Sequence, residues 1–198
     1  MLKRAFDVVC ASAALLLLSP LLLAIALWVK IDSRGPVFFR QQRVGRGGAL
    51  FRIHKFRSMC GDAATAGAQI TVGADPRITR AGRFLRRTKL DELPQLLDVL
   101  TGSMSLVGPR PEVPRYVALY PAELRAKVLS VRPGITDPAS LAYRDEGALL
   151  AHAADPERTY VEQVMPAKLL LSARYVERMT LLGDVRLLAA TLRRLLLR

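Results

Sequence analysis

Two adjacent carboxylates, Asp91 and Glu92, lie in the run Thr88-Lys89-Leu90-Asp91-Glu92-Leu93-Pro94-Gln95 and are the strongest candidates for chemistry in this chain. Neighbouring helical residues point about 100° apart, so one apolar face cannot bury both. Both can still converge on a metal ion or a phosphate held at a helix start. The plainer use of such a pair is structural: Thr88 caps a helix and the acidic groups complement the positive end of its dipole. Cationic residues supply the other half of the chemistry. Arg110 sits between Pro109 and Pro111, and such stiffness lowers the entropy lost when a guanidinium grips a phosphate bidentately. Arg132-Pro133-Gly134-Ile135-Thr136 repeats the device, and Arg144 follows. A turn with an incidental Arg is the alternative for each; their recurrence in one small chain favours anion binding. Lys55 belongs to His54-Lys55-Phe56-Arg57-Ser58-Met59, which also reads as an edge strand protected by charge. Arg80, Arg83 and Arg86 recur every third residue beside Arg87. A helix with that stripe repels itself unless phosphates, anionic headgroups or carboxylates face it, or the stripe is simply solvated.

These residues need elements to hold them. Residues 36–56 alternate apolar and polar positions on either side of Gly45-Arg46-Gly47-Gly48, predicting a β-hairpin that presents Lys55 near its end. The Ala-, Gly- and Thr-rich stretch from Cys60 to Asp75 reads as a loop with a weak helical piece. Residues 88–100 are apolar at helical spacing. At the N-terminus, about 22 residues between Asp7 and Lys30 carry no charge, roughly 33 Å of helix and enough to span a bilayer. Pro20 in its middle removes a backbone hydrogen bond and crowds the carbonyl of Leu16, which the Ser19 hydroxyl could satisfy. Basic residues flank both ends, Lys3 and Arg4 before the run and Lys30, Arg34 and Arg40 after it. The positive-inside rule then wants both ends on one face, which a helix that turns back at Ser19-Pro20 achieves; a kinked single span is the competing arrangement. Asp7 needs a partner, and Arg4 is the nearest. Ser33-Arg34-Gly35-Pro36 is a poor signal-peptide cleavage site. The last stretch, Leu181 to Arg198, sets Leu187, Leu188, Leu192, Leu195 and Leu196 against Arg186, Arg193, Arg194 and Arg198: a basic amphipathic helix lying on anionic lipid, or a core helix with a solvated face.

A chain of 198 residues builds one domain with a real core plus an anchor. Its net charge of +13 requires an anionic partner: nucleic acid, lipid or a phosphorylated substrate. Aromatics are sparse near the Arg stripe, which argues against single-stranded nucleic acid. Two cysteines, Cys10 and Cys60, make no disulfide framework or CxxC metal site. A non-enzymatic membrane-surface scaffold would account for the charge and the apolar ends, but not for Asp91-Glu92 or the stiff Arg loops.

Taken together, R-A-F-D before an apolar helix interrupted at S-P, then H-K-F-R-S-M, L-D-E-L-P-Q, M-S-L-V-G-P-R-P and R-P-G-I-T, in this order and over nearly the whole chain, resemble the monotopic bacterial phosphoglycosyl transferases that start glycan assembly. The resemblance implies an α/β, mostly α, membrane protein in its minimal catalytic form. Residues 1–34 would be a re-entrant helix-turn-helix with its membrane turn at Ser19 and Pro20. Residues 35–198 would form a small cytosolic catalytic part with a β-hairpin, surface-lying amphipathic helices and a C-terminal amphipathic helix, on the cytoplasmic face of the bacterial inner membrane. The implied activity moves a sugar-1-phosphate from a UDP-sugar to a polyprenyl (undecaprenyl) phosphate with release of UMP. In it Asp91 is the nucleophile, Glu92 its partner at Mg2+, and Lys55, Arg86, Arg110 and Arg144 bind substrate. Asp184, in L-G-D-V-R, matches an acidic position of the family and is left open between structure and site. A homodimer is compatible with this arrangement, and no nucleic acid is expected. Where the family often continues R-P-G-I-T with G-W-A-Q, this chain has Asp137-Pro138-Ala139-Ser140, so sugar and nucleotide contacts are not inferred from that loop.

Overall fold

The computed structural model describes residues 1–60 and 75–197; the expected loop between Cys60 and Asp75 lies, for residues 61–74, outside them. The fold is mostly helical with two small sheets. A 31-residue helix, α1 (Leu2–Asp32), opens the chain and is long and apolar enough to cross a membrane. The expected hairpin forms from β1 (Phe38–Val44) and β2 (Leu50–Phe56), antiparallel, with Phe39 opposite Lys55 and Arg43 opposite Phe51. Next come α2 (Arg80–Thr88), a 3-10 turn over Leu90–Glu92 and α3 (Gln95–Thr101). Two three-residue strands, β3 (Ser105–Val107) and β4 (Gly134–Thr136), pair in parallel. Short helices α4 (Pro114–Val117) and α5 (Ala122–Val128) connect them. Beyond β4 lie α6 (Pro138–Ala142), α7 (Glu146–Ala151), α8 (Pro156–Thr159), a π-helical turn at Tyr160–Val164, α9 (Met165–Glu177) and α10 (Leu181–Leu196).

The helix-turn-helix expected at Ser19-Pro20 is not what the backbone forms: α1 runs unbroken through Pro20. The reason is local. Pro20 has no N–H to give, and the Ser19 hydroxyl donates to Leu16 O at 2.8 Å, so the released carbonyl keeps a partner without the chain leaving helical geometry. Both ends of α1 nevertheless dock on the same body. Near its start Ala11 joins a core of Ile53, Leu96, Val99, Met104 and Tyr175. Near its end Ile25 and Val29 pack on Phe56 and Leu85, and Asp32 accepts from Ala81 N–H at the start of α2. Between the docked ends Leu16, Leu17, Leu21 and Leu23 stay exposed.

Several local expectations are corrected. Asp7 is buried, but its partners are the Ser105 hydroxyl (2.8 Å) and Leu106 N–H (3.1 Å) on β3, not Arg4. Arg4 donates to Val99 O and Leu100 O in the last turn of α3, where Val99 O also accepts from Gly102 N–H. Thr88 does not cap a helix start; it closes α2, its hydroxyl donating to Phe84 O at 2.8 Å. The Gly-Pro-Arg and Arg-Pro-Gly segments are more than turns, because each adjoins a strand of the β3/β4 pair. There the backbones touch: a Cβ on Gly134 would lie 2.0 Å from Gly108 N, and one on Gly108 2.5 Å from Arg132 O. Only glycine fits at either position. The C-terminal helix packs on the body along one side only. Leu187 and Leu188 pack on the core while Leu182, Val185 and Leu192 remain exposed.

Candidate active site

Side chains alternate along β2, so Phe51, Ile53 and Lys55 turn to one face and His54 and Phe56 to the other. Phe51 and Ile53 enter the main core, and Lys55 is carried beside Glu92. Phe56 packs under α1 and α2. His54 covers the free edge of the strand: its N–H donates to Asp98 Oδ2 at 2.8 Å, and its Nδ1 lies 2.6 Å from Asp98 Oδ1. Arg57, just past the strand, donates to Val29 O, Ser33 O and Pro36 O around the end of α1. One short segment thus ties the membrane-length helix, α3 and the acidic pair together.

The acidic pair is presented by a forced turn. Lys89 ends α2 with φ 60°, the one non-glycine with positive φ among the described residues, and the 3-10 turn starts from it. Non-glycine residues in this region carry strain that the surroundings must hold, a condition often met at functional sites. Glu92 accepts from Lys55 Nζ at 2.7 Å and from Arg110 Nη1 at 3.0 Å, with Arg110 Nη2 on its other oxygen in a bidentate fork. These two cations hold its carboxyl well below the usual range despite burial. Arg110 is held charged in return, and burial lowers Lys55. Asp91 behaves in the opposite way. It keeps 8% exposure, none of it at Oδ1, which is buried without a hydrogen-bond partner. Burial and the neighbouring Glu92 charge push its carboxyl up, while Lys55, Arg86 and Lys89 pull it back. The environment thus drives the two adjacent carboxyls in opposite directions.

The structure therefore brings Asp91, Glu92, Lys55 and Arg110 into one cluster, with Arg86 close enough for its charge to act on Asp91. It does not bring Arg144 into hydrogen-bonding contact with them; that guanidinium donates to Arg194 O near the end of α10, at 2.6 Å. Arg132 is likewise structural, its Nε donating to Gly102 O. Asp184 is fully buried on α10, where it accepts from Lys3 at 2.6 Å and Tyr175 OH at 2.7 Å and so joins α1, α9 and α10. Its geometry is that of a structural tie.

Sequence reasoning passed over a further layer behind Arg110. Arg43 donates to Pro111 O and to Glu112 Oε1 at 2.8 Å, and Glu112 Oε2 accepts from Tyr160 OH at 2.6 Å. Tyr160 opens the π-helical turn, a distortion often found near functional sites. Burial and the Glu112 charge push its phenol well above the ordinary value. The only signal available was the alternation of β1, which turns Gln41 and Arg43 the same way as the inward residues of β2.

For a metal ion, no group of three or more His, Cys, Asp or Glu side chains occurs among the described residues. Magnesium does not need one when phosphates share its coordination, since one or two carboxylates suffice. Among the described residues Asp91 accepts no hydrogen bond and Glu92 Oε2 accepts one, so lone pairs remain on both and the donor set fits.

The family model described as bacterial sugar transferase matches residues 1–198. The chain is 39% identical over 197 residues to a UDP-N-acetylgalactosamine-undecaprenyl-phosphate N-acetylgalactosaminephosphotransferase of Aeromonas hydrophila, covering 98% of this chain and 44% of that protein. It is 49% identical over 138 residues to a UDP-glucose:undecaprenyl-phosphate glucose-1-phosphate transferase of Escherichia coli, covering 69% and 30% respectively. A protein of the same name in Caulobacter vibrioides is 49% identical over 137 residues, 68% of this chain and 51% of that one. The chain thus spans about half or less of the length of these relatives. With a match along its whole length, the chain belongs to the bacterial sugar transferase family.

Proposed function

We propose that this chain transfers a sugar-1-phosphate from a UDP-sugar to undecaprenyl phosphate, with Asp91 as a covalent nucleophile. The observation that carries the reading is the contrast within the acidic pair: Glu92 is locked by Lys55 and Arg110, whereas Asp91 beside it accepts no hydrogen bond from the described residues. Asp91 attacks the β-phosphorus of the donor; the Asp91 oxygen–phosphorus bond forms as the bond to the UMP oxygen breaks, and UMP leaves with that electron pair. A phosphate oxygen of the acceptor then attacks the same phosphorus, and the Asp91 carboxylate is released. Lys55, Arg86 and Arg110 offset the repulsion between a carboxylate and a diphosphate, each anionic. A magnesium ion held by Asp91 and Glu92 with the donor's phosphates would supply further charge neutralisation there.

The acceptor's isoprenoid tail stays in lipid, so the site must lie at the membrane face. Support comes from α1, which is long and apolar enough to cross a membrane and leaves Leu16, Leu17, Leu21 and Leu23 exposed on either side of Pro20. The exposed Leu182, Val185 and Leu192 of α10 suit the same surface. A lipid-binding scaffold has no need of a buried, ion-paired carboxylate cluster.

The test is release of UMP from a panel of UDP-sugars by lipid-reconstituted protein, without acceptor and with magnesium present. A burst near one UMP per chain is expected, lost in Asp91→Asn. No release with any donor, or an unchanged burst in Asp91→Asn, overturns the reading.

A further inference from the structure

Gln95 begins α3 four residues beyond Asp91 and is completely buried, yet neither its Oε1 nor its Nε2 meets a hydrogen-bonding partner. Asp91 Oδ1 is in the same condition. Buried amides are almost always paired, because an unpaired one forfeits its hydration and gains nothing in return. Leu or Met would fill this volume without that penalty. Of the other side chains with such atoms, Arg43 and Arg57 still place their remaining guanidinium nitrogens on acceptors, and Tyr116, far along the chain from the acidic pair, leaves one hydroxyl unpaired. Gln95 places neither of its polar atoms on anything.

The backbone relates the two orphaned groups. From Leu90 through Thr101 it stays right-handed helical, with Leu93 at φ −54°, ψ −35° and Pro94 at φ −61°, ψ −15° linking the 3-10 turn to α3. Gln95 therefore follows Asp91 by about one turn. Helical side chains lean toward the N-terminus, which tilts Gln95 back toward the turn that carries Asp91, and Gln and Asp one turn apart are a favourable hydrogen-bonding pair.

Resting on the transfer reading above, we infer that Gln95 is a positioning residue for the nucleophile: the two groups do not meet in a hydrogen bond as the chain stands, and Gln95 Nε2–H comes to Oδ1 of Asp91 when the donor is bound and the carboxylate is charged. This leaves Oδ2 as the oxygen that bonds to phosphorus. In the covalent intermediate Oδ1 is a neutral acyl carbonyl, and it shares the negative charge again when the Oδ2–phosphorus bond breaks. An amide donor binds the charged carboxylate more strongly than the carbonyl, so it assists departure of Asp91 in the second half-reaction. Gln95 itself gains and loses no proton.

The experiment uses the full chain in lipid, with a UDP-sugar that wild type accepts and undecaprenyl phosphate as acceptor. Gln95→Leu is expected to lower kcat about 10- to 100-fold, the usual weight of one hydrogen bond to a charged group, with KM for the donor falling alongside, because kcat/KM for the donor reports only the first half-reaction. The covalent phosphosugar adduct should accumulate at steady state, read by intact mass. Its melting temperature should not fall, since two unpaired polar atoms have left the core. Wild-type kcat, or an adduct no more abundant than in wild type, overturns the proposal. So does loss of activity that tracks loss of folded protein in both Gln95→Leu and Gln95→Met, which would assign Gln95 to packing. A wild type that forms no adduct at all sinks the transfer reading itself, which is a separate and distinguishable result.

Discussion

Replacing Glu92 with Gln keeps the shape of the side chain and removes its charge, and the structure sets the size of the consequence. Glu92 has a side chain 14% exposed and accepts three charge-assisted hydrogen bonds from Lys55 and Arg110, which are 18% and 33% exposed. Removing one member of a fully buried ion pair costs about 3–5 kcal/mol, mostly because the partner charge is left stranded. Arg110 keeps a third of its surface in water, which screens part of that penalty and lowers the expected loss to about 2–4 kcal/mol. For a chain of this size that corresponds to a fall in melting temperature on the order of 5–15 °C. A bound UDP-sugar returns anionic oxygens to both cations, so the donor should raise the melting temperature of Glu92→Gln more than that of wild type. Thermal unfolding with and without donor, in the same lipid or detergent, provides the assay. A variant that melts within a degree of wild type would refute the claim that Glu92 neutralises a desolvated cation pair. Equal stabilisation of both proteins by the donor would refute the claim that the diphosphate takes its place.

Other consequences are as direct. Gly134→Ala sets a Cβ 2.0 Å from Gly108 N and should destabilise by about 3 kcal/mol or more through separation of β3 from β4, whereas Gly47→Ala meets no atom within 4 Å and should cost only about 1–2 kcal/mol for its positive φ; chemical denaturation compares them. Asp7→Ala strands the Leu106 N–H in the core, while the Ser105 hydroxyl keeps Val107 O as acceptor, and should cost about 1–3 kcal/mol, with earlier protease cleavage of α1 from the body. Attack requires ionised Asp91, whose carboxyl burial and Glu92 push up, so the acid limb of the rate profile should lie above the ordinary aspartate value of about 3.9. Lys55 pulls that carboxyl down, so Lys55→Met should move the limb to higher pH; a shift to lower pH contradicts the arrangement.

Much of the local structure is legible without coordinates. Alternation about Gly45-Arg46-Gly47-Gly48 marks the hairpin, the Arg80-Arg83-Arg86 spacing marks α2, and the uncharged run marks α1. Errors arose where a local motif has two equally good local meanings. Thr88 before an acidic pair resembles a helix cap, but Lys89 in a left-handed conformation ends one helix there and starts a tighter turn. Arg4 and Asp7 are one turn apart and look like partners, yet each is taken by a backbone group nearly a hundred residues away.

The sequence by itself determined which groups exist and how often they repeat: a membrane-length apolar helix, a basic chain, two adjacent carboxylates and an Arg held between prolines. Periodicity and composition are properties of neighbours along the chain, so they survive without a fold. Which cation meets which carboxylate was decided only by tertiary structure. Lys55 and Arg110 reach Glu92 from 37 and 18 residues away, Lys3 reaches Asp184 across 181, and Arg144 turns to α10 instead. Ion pairing depends on distance and on exclusion of water, and neither is encoded in spacing. The same packing that locks Glu92 leaves Asp91 unpaired, and that difference separates two residues the sequence presents as equals.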